Sequence, residues 1–186
     1  MVSTACGVQS GRVMKRPCRL VLSLVVMVTL AGVTSCAGLL PVSSPPRAPA
    51  AKPAAPVAAR ASADEELRGL VELVNRYRRT HGLGELEWDP RLARVAQAHS
   101  EDMARRSFFS HRNPDGLTPF DRLRAADVHY QAAAENIAEG QETAEEVFGG
   151  WIGSPGHRRN LENPAFTRHG IGLVQRRWTH ILIRSR

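Results

Sequence analysis

The stretch GIGLVQRRWTHILI, residues 170–183, contains two runs of β-forming residues separated by a short polar break. Gly170–Val174 and Trp178–Ile183 have the length of strands, and β-branched residues recur at every second position from Thr179 to Ile183. The three residues between the runs, 175–177, are short enough for a hairpin connection. This region therefore predicts two paired strands.

Upstream of this hairpin, apolar periodicity and capping signals predict helices. The first is an amphipathic helix over 62–79, where Ser62 and Glu65 fit a capping box. A second helix is predicted to begin at Asp89–Pro90 and to run to about Arg106. Three shorter helices are predicted to open at Thr118, Thr143 and Ser154.

Helices that flank a small sheet predict an α+β fold in layers. Two further segments, 107–111 and 133–139, have the composition of strands or extended chain. The sequence contains no glycine-rich nucleotide-binding pattern and no H-E-x-x-H pattern. The three cysteines all precede residue 37, so the predicted domain has neither a disulfide nor a thiolate site.

The first 36 residues have the organisation of a signal peptide. Basic residues precede an apolar run, Leu20–Gly32, that is shorter than the about 20 residues needed to cross a bilayer. Val33–Cys36 resembles the lipobox of bacterial lipoproteins, which predicts lipidation of Cys36, export and a membrane anchor. The alternative is an ordinary signal peptide cut near Ala37, which predicts a secreted protein. Met14 is a second candidate for the start of the chain.

Residues 37–63 are predicted to form a disordered tether to a domain over 64–186. The tether contains six prolines among Ala and Ser, and Asp64 is the first acidic residue of the chain. The formal charge of +7 comes largely from the leader. Four basic residues precede Cys36, which leaves about +3 for everything after it, and this weak basic balance argues against nucleic acid as a partner.

A set of short motifs between residues 66 and 183 resembles the bacterial CAP (SCP-like) family. The motifs are Leu73-Val74-Asn75 with Arg78, Trp88-Asp89-Pro90-Arg91-Leu92, Ala98-His99-Ser100, Ser110-His111, Ala134-Glu135-Asn136-Ile137-Ala138, Trp151 with Ser154-Pro155-Gly156-His157-Arg158, Gly170-Ile171-Gly172, and Trp178-Thr179. The resemblance implies a three-layer α-β-α sandwich with a small, mainly antiparallel sheet. It also implies a cleft lined by histidines and acids.

Carried over position by position, the cleft residues are His111, Glu135 and His157. Many eukaryotic members add a second glutamate, whose place here is taken by Gly153 or Ser154, so that carboxylate is missing. This absence weakens any catalytic scheme that needs four residues.

Two chemical roles fit these residue types. His111 and His157 could bind zinc or another divalent cation, with Glu135 completing the site. Alternatively, the histidines and the carboxylate could act as general acid and base. If Ser154 caps its helix, His157 lies in the first turn, where the helix dipole favours the neutral imidazole.

Structural explanations for the same residues remain open. His111 could bind its own loop near Asn113, Glu135 could pair with Arg122, and His157 could be an exposed residue of a first turn. His99 is predicted to be a core residue or to support the site from behind. Trp88 and Trp151 are predicted in the core. Four histidines have no motif context: His81, His129, His169 and His180.

Three functions are consistent with the sequence. The favoured one is a binding module of the cell envelope that holds a lipid, a glycan or a peptide. The alternative is a metal-dependent or histidine-assisted hydrolase, although neither Ser110 nor Ser154 lies in a nucleophile-elbow sequence. The third is a structural envelope protein without a ligand site.

Overall fold

The computed structural model describes residues 57–185, with side chains from residue 61 onward. The predicted signal peptide, the lipidation site Cys36 and the tether up to residue 56 lie outside the described residues. Among the described residues, no helix combines the length and apolar character that a membrane span requires.

The described chain forms five helices and one four-stranded sheet, which confirms the predicted α+β class. The helices are α1 Val57–Thr80, α2 Pro90–Arg106, α3 Pro119–Ala125, α4 Ala144–Gly153 and α5 Pro155–Glu162. The strands are β1 Glu87–Trp88, β2 Ala132–Glu139, β3 Arg168–Val174 and β4 Arg177–Arg184.

The sheet has the order β1-β3-β4-β2 and is mainly antiparallel, since only β1 and β3 run parallel. The predicted hairpin is β3 and β4. Its turn consists of Gln175 and Arg176, both with positive φ, 48° and 60°. Positive φ at both turn positions gives a tight two-residue hairpin whose twist matches that of the strands.

Two hydrophobic clusters on opposite faces of the sheet define the three layers. The first joins α1, α4 and α5 to the sheet, with Trp151 and Trp178 among its buried residues. The second joins α2 and α3 to the other face, through Ile181 and Ile183 of β4. Strand β4 is covered on both faces. The β-branched residues that recur at every second position of its sequence therefore lie on only one of two buried faces.

Two glycines of β3 allow α2 to lie directly on the sheet. A Cβ at Gly170 would meet the Ala93 backbone nitrogen at 2.2 Å, and one at Gly172 would meet the Gln97 nitrogen at 2.3 Å. No side chain fits at such distances, so the Gly-Ile-Gly sequence is required by the close approach of the helix.

Four of the five helices begin at the predicted cap position, and three of them have the side-chain capping bond. Asp89 caps α2, Thr118 and Asp121 form a capping box on α3, and Thr143 accepts a bond from α4. Ser154 occupies the cap position of α5 but makes no capping hydrogen bond with its side chain.

Three local predictions were wrong. Helix α1 begins at Val57 and not at Ser62, because the Ala-rich residues before Ser62 continue the helix. Residues 107–111 form a loop instead of a strand. Trp88 is 40% exposed and not part of the core, because it lies in the two-residue strand at the sheet edge.

Candidate functional site

Three different elements carry the residues predicted for the cleft. Glu135 lies in β2, and His157 lies in the first turn of α5. His111 lies in the loop between α2 and α3. Together with Arg122 of α3 they form a group that we call the polar site.

Glu135 is the centre of the polar site. Its side chain is fully buried, and each of its carboxylate oxygens has a partner. His111 Nδ1 lies 2.9 Å from Oε1, and Arg122 Nη2 donates to Oε2 at 2.7 Å. The suggestion that Glu135 pairs with Arg122 is therefore confirmed, and the same carboxylate also binds His111.

The environment keeps Glu135 ionised. Burial alone raises its pKa, but the hydrogen bond from His111 and the charge of Arg122 outweigh burial and hold the pKa below its ordinary value. An ionised carboxylate only accepts hydrogen bonds, so His111 must carry a hydrogen on Nδ1. In the neutral ring the lone pair is then on Nε2.

Arg122 also holds the loop that carries His111. Its Nη1 donates to the carbonyl of His111 at 3.1 Å and to the carbonyl of Leu117 at 3.2 Å. One guanidinium thus connects α3, β2 and the loop before α3. The sequence named Arg122 only as a possible partner of Glu135, and no motif marks it as a bridge.

His157 is fixed through its backbone by two buried asparagines. Asn136 Nδ2 donates to the His157 carbonyl at 3.2 Å, and Asn160 Nδ2 donates to Asn136 Oδ1 at 2.8 Å. Asn136 follows Glu135 in β2, so one strand positions both the carboxylate and the second histidine. Asn160 was not predicted, because no local pattern distinguishes it from other polar helix residues.

The His157 ring is buried, with 6% exposure, which rules out the exposed first-turn residue considered from the sequence. Its Nε2 is closed off from solvent and has no hydrogen-bond partner among the described residues. A buried polar atom without a partner costs about 1–3 kcal/mol. Arg122 Nε is buried without a partner as well, but the same guanidinium donates through both of its Nη atoms, so His157 Nε2 is the atom for which a bound group would supply a first partner.

Burial lowers the pKa of His157, and the nearby charge of His111 lowers it further. The sequence predicted a neutral His157 from the helix dipole. The structure gives the same direction, but desolvation is the main cause. A neutral imidazole at pH 7 can accept or donate a hydrogen bond, or bind a metal.

His99 supports the site from α2. It is buried, and its Nε2 lies 3.0 Å from the carbonyl of Ser110, the residue before His111. Burial lowers its pKa, and the charge of Glu135 partly opposes that effect. This position agrees with the prediction of a core or supporting histidine.

The donor set has consequences for the predicted metal. Both oxygens of Glu135 already accept hydrogen bonds, so a cation would have to compete with His111 and Arg122 for the carboxylate. The described residues contain no group of three or more His, Cys, Asp or Glu that could hold a metal ion. Gly153 and Ser154 supply no carboxylate either. A cation held by His111 and His157 alone would lack the three or four protein ligands usual for zinc.

A second pair of histidines lies in the sheet. His169 Nδ1 and His180 Nε2 are 3.0 Å apart, both rings are buried, and Trp151 stacks on His180. Arg78 is buried beside them and donates to the carbonyls of Gly84, Leu161, Asn163 and Phe166. We call Arg78, His169 and His180 the sheet cluster.

A groove of about 400 Å³ lies between α1 and β1 and shares no residue with the polar site. It is lined by Asp64, Leu67, Arg68, Val71, Glu72 and Trp88. It contains no histidine, and its acidic residues lie on an exposed helix face. The groove therefore does not offer the chemistry of the polar site.

Comparison with known proteins identifies the class of this domain. Residues 71–179 match the model of the CAP family, described as the cysteine-rich secretory protein family. This match covers more than half of the chain, so the chain belongs to the CAP family.

Two Bacillus subtilis proteins are similar in sequence. The uncharacterised protein YkwD is 43% identical over 106 residues, which are 57% of this chain and 41% of YkwD. The uncharacterised membrane protein YlbC is 38% identical over 115 residues, 62% of this chain and 33% of YlbC. The chain thus spans less than half the length of these curated relatives.

Solved structures show the same fold. An extracellular protein containing an SCP domain from Bacillus anthracis superposes with a TM-score of 0.68 at 36% identity, covering 73% of this chain and 45% of that protein. An outer surface protein from Borrelia burgdorferi superposes with a TM-score of 0.62 at 22% identity, covering 66% of this chain and 94% of that protein.

Proposed function

We propose that this chain is an exported CAP-domain protein whose polar site binds a ligand, and that Cys36 anchors it to a membrane through lipid. One observation carries the ligand proposal: His157 holds a buried nitrogen without a partner beside a histidine that a buried carboxylate orients. Buried polar atoms usually have a hydrogen-bond partner, and a bound molecule would supply one to this nitrogen.

The envelope location is supported by the sequence and by two relatives. The charged segment, the apolar run and the lipobox-like Val33–Cys36 follow each other in the order of a lipoprotein leader. The B. anthracis neighbour is an extracellular protein, and YlbC is a membrane protein. Multiple acyl chains on Cys36 would make the anchoring stable.

Mass spectrometry of the membrane fraction tests the anchor. We expect a mature N-terminal peptide that begins with acylated Cys36, and we expect Cys36→Ala to release the protein into the soluble fraction. An unmodified N-terminus near Ala37 in the wild type would instead indicate a secreted protein.

The ligand proposal is tested by NMR titration of residues 37–186. The probes are Zn²⁺, a cell-wall disaccharide-peptide, a short peptide and phospholipid vesicles. We expect at least one probe to shift the signals of the His157 ring and of the Asn136 side-chain amide. His157→Ala should weaken that binding about tenfold or more, equivalent to about 1.4 kcal/mol.

The matched control is His129→Ala, because His129 is exposed and lies outside the polar site. It should leave the titration unchanged. A folded wild type that responds to none of the probes, or a response that His157→Ala does not reduce, would contradict the proposal.

A hydrolase is the second candidate, and one contact favours it. An ionised Glu135 that orients His111 has the arrangement of a carboxylate and imidazole acting as general base. Stoichiometric zinc binding that is lost in both His111→Ala and His157→Ala would favour the metal-dependent form of this candidate. Cleavage of the disaccharide-peptide would be required to establish either form.

A further inference from the structure

We propose that Arg122 is the positioning residue of the polar site: it fixes Glu135 and the loop before α3, and through them it sets the orientation and the hydrogen position of the His111 ring. This inference rests on the proposed ligand site and adds to it the residue that prepares the site. It concerns a side chain that acts through others and does not itself need to touch the ligand.

The position of Arg122 follows from the local structure of α3. Thr118 and Asp121 form a complete capping box, which fixes the start of the helix directly after the loop. Arg122 lies one helical turn after Thr118, on the inner side, and only 11% of its side chain is exposed. The cap therefore determines where the guanidinium enters the interior.

The same helix provides an internal comparison. Arg124 is two residues further on, is 75% exposed and, in the described part of the chain, has its ion pair with Asp121. Both arginines belong to the same short helix, yet only Arg122 is directed to the buried carboxylate and to two loop carbonyls. The burial of Arg122 is thus specific to its position.

The energetics argue that this pair is retained for more than stability. Burying two charges costs several kcal/mol of desolvation for each, which their attraction only partly returns. Apolar side chains of similar volume would stabilise a domain about as well. What an apolar pair could not do is present an ionised acceptor to His111 Nδ1 and hold the His111 carbonyl at the same time.

The consequence for His111 is a single hydrogen-bonding state. Glu135 accepts at 2.9 Å, so the ring keeps its hydrogen on Nδ1. Removing Arg122 would leave the buried carboxylate with one partner and would release the carbonyls of His111 and Leu117. Neither Glu135 nor the loop would then hold the His111 ring in one state.

The experiment uses the chain over 37–186 with ¹⁵N-labelled histidine, recorded without ligand at pH 7. Long-range ¹H–¹⁵N spectra report which ring nitrogen carries the hydrogen. The variants are Arg122→Gln, Arg122→Lys and the control Arg124→Gln. Amide hydrogen exchange over residues 110–118 reports the order of the loop.

We expect His111 to carry its hydrogen on Nδ1 in the wild type and in Arg124→Gln. Arg122→Gln should lose this single state. Arg122→Lys should restore it, because the charge beside Glu135 remains, while exchange in the loop stays faster than in the wild type because the forked contact to two carbonyls is lost.

A folded Arg122→Gln variant with unchanged His111 ring signals would overturn the proposal. If Arg122→Gln does not fold, the Arg122→Lys variant decides: wild-type exchange over 110–118 would overturn it as well. Because the readout needs no ligand, it is independent of the proposed function. Suppose that Arg122→Gln changes the His111 ring signals but that His157→Ala leaves ligand binding unchanged. This result would contradict the proposed ligand site and would still support the positioning role of Arg122.

Discussion

The polar site and the sheet cluster are both buried groups of two histidines and one arginine, but their charges are arranged differently. In the polar site a fully buried carboxylate lies between Arg122 and His111. In the sheet cluster Arg78 meets four backbone carbonyls, and the histidines bind each other. The first arrangement fixes the orientation of the His111 ring, whereas the second fills the interior between strands and helices.

The difference teaches that burial and a lowered histidine pKa do not by themselves mark a functional site. Burial lowers the pKa of His169 to about 4 and that of His180 well below its usual value. Among the described residues no carboxylate is bonded to either histidine of the sheet cluster, and neither histidine belongs to one of the motifs quoted above. A buried acid that orients a histidine is the more informative feature.

The largest expected effect is on the ion pair of the polar site. Arg122→Met should lower the free energy of unfolding by about 3–5 kcal/mol at pH 7, because it leaves the buried charge of Glu135 without its cation. Urea unfolding measures this value. Arg124→Met, on the exposed side of α3, should change it by less than about 0.5 kcal/mol. A loss of unfolding free energy for Arg122→Met as small as that for Arg124→Met would contradict the role of the buried ion pair.

The sheet cluster should control the acid limit of stability. The pKa of His169 is about 4 in the folded protein and about 6.5 in the unfolded chain, so the unfolded state binds more protons between these values. This stabilisation is complete above pH 6.5 and falls by about 3 kcal/mol as the pH drops to 4. His180 acts in the same direction.

Urea unfolding between pH 7 and pH 4 checks this slope, with His169→Gln as the comparison. The variant should be less stable at pH 7 and should lose less stability on acidification. Glu135 has a lowered pKa, so its contribution is lost only below its ordinary value near 4.5. A wild-type profile as flat as that of His169→Gln would disprove the role of the sheet cluster.

A smaller loss of stability is expected when the asparagine pair that holds the His157 backbone is broken. Asn160→Ala should cost about 1–2 kcal/mol, because it leaves Asn136 Oδ1 buried without its donor. The Asn136 amide signal should move, and signals of β3 should not. Arg159→Ala, its exposed neighbour, is the control and should change stability by less than about 0.5 kcal/mol.

The parts of the fold that depend on local chemistry could be predicted from the sequence. Asp89, Thr118 and Thr143 begin their helices as expected, and the hairpin turn follows from the two short β runs. The start of α1 could not be predicted from capping alone, because Ala-rich residues before Ser62 extend the helix back to Val57.

The site was predictable only in part. His111, Glu135 and His157 came from the family resemblance, but the second partner of Glu135 depends on how α3 packs on β2. The sheet cluster was missed because His169 and His180 meet diagonally across the β3–β4 register, where His169 faces Leu182 and His180 faces Ile171. Nothing within either strand sequence specifies that meeting.

The unfolding free energies of His157→Ala and His180→Ala, measured side by side at pH 7, test the central distinction most directly. His180→Ala should cost about 2–5 kcal/mol, because it opens a cavity beneath Trp151. His180→Ala also removes the hydrogen-bond partner of His169 Nδ1, whereas His157→Ala removes a ring whose Nε2 has no partner among the described residues. His157→Ala should therefore cost less than about 1 kcal/mol while ligand binding disappears. A loss for His157→Ala as large as that for His180→Ala, with ligand binding retained, would show that the polar site serves the fold and not a ligand.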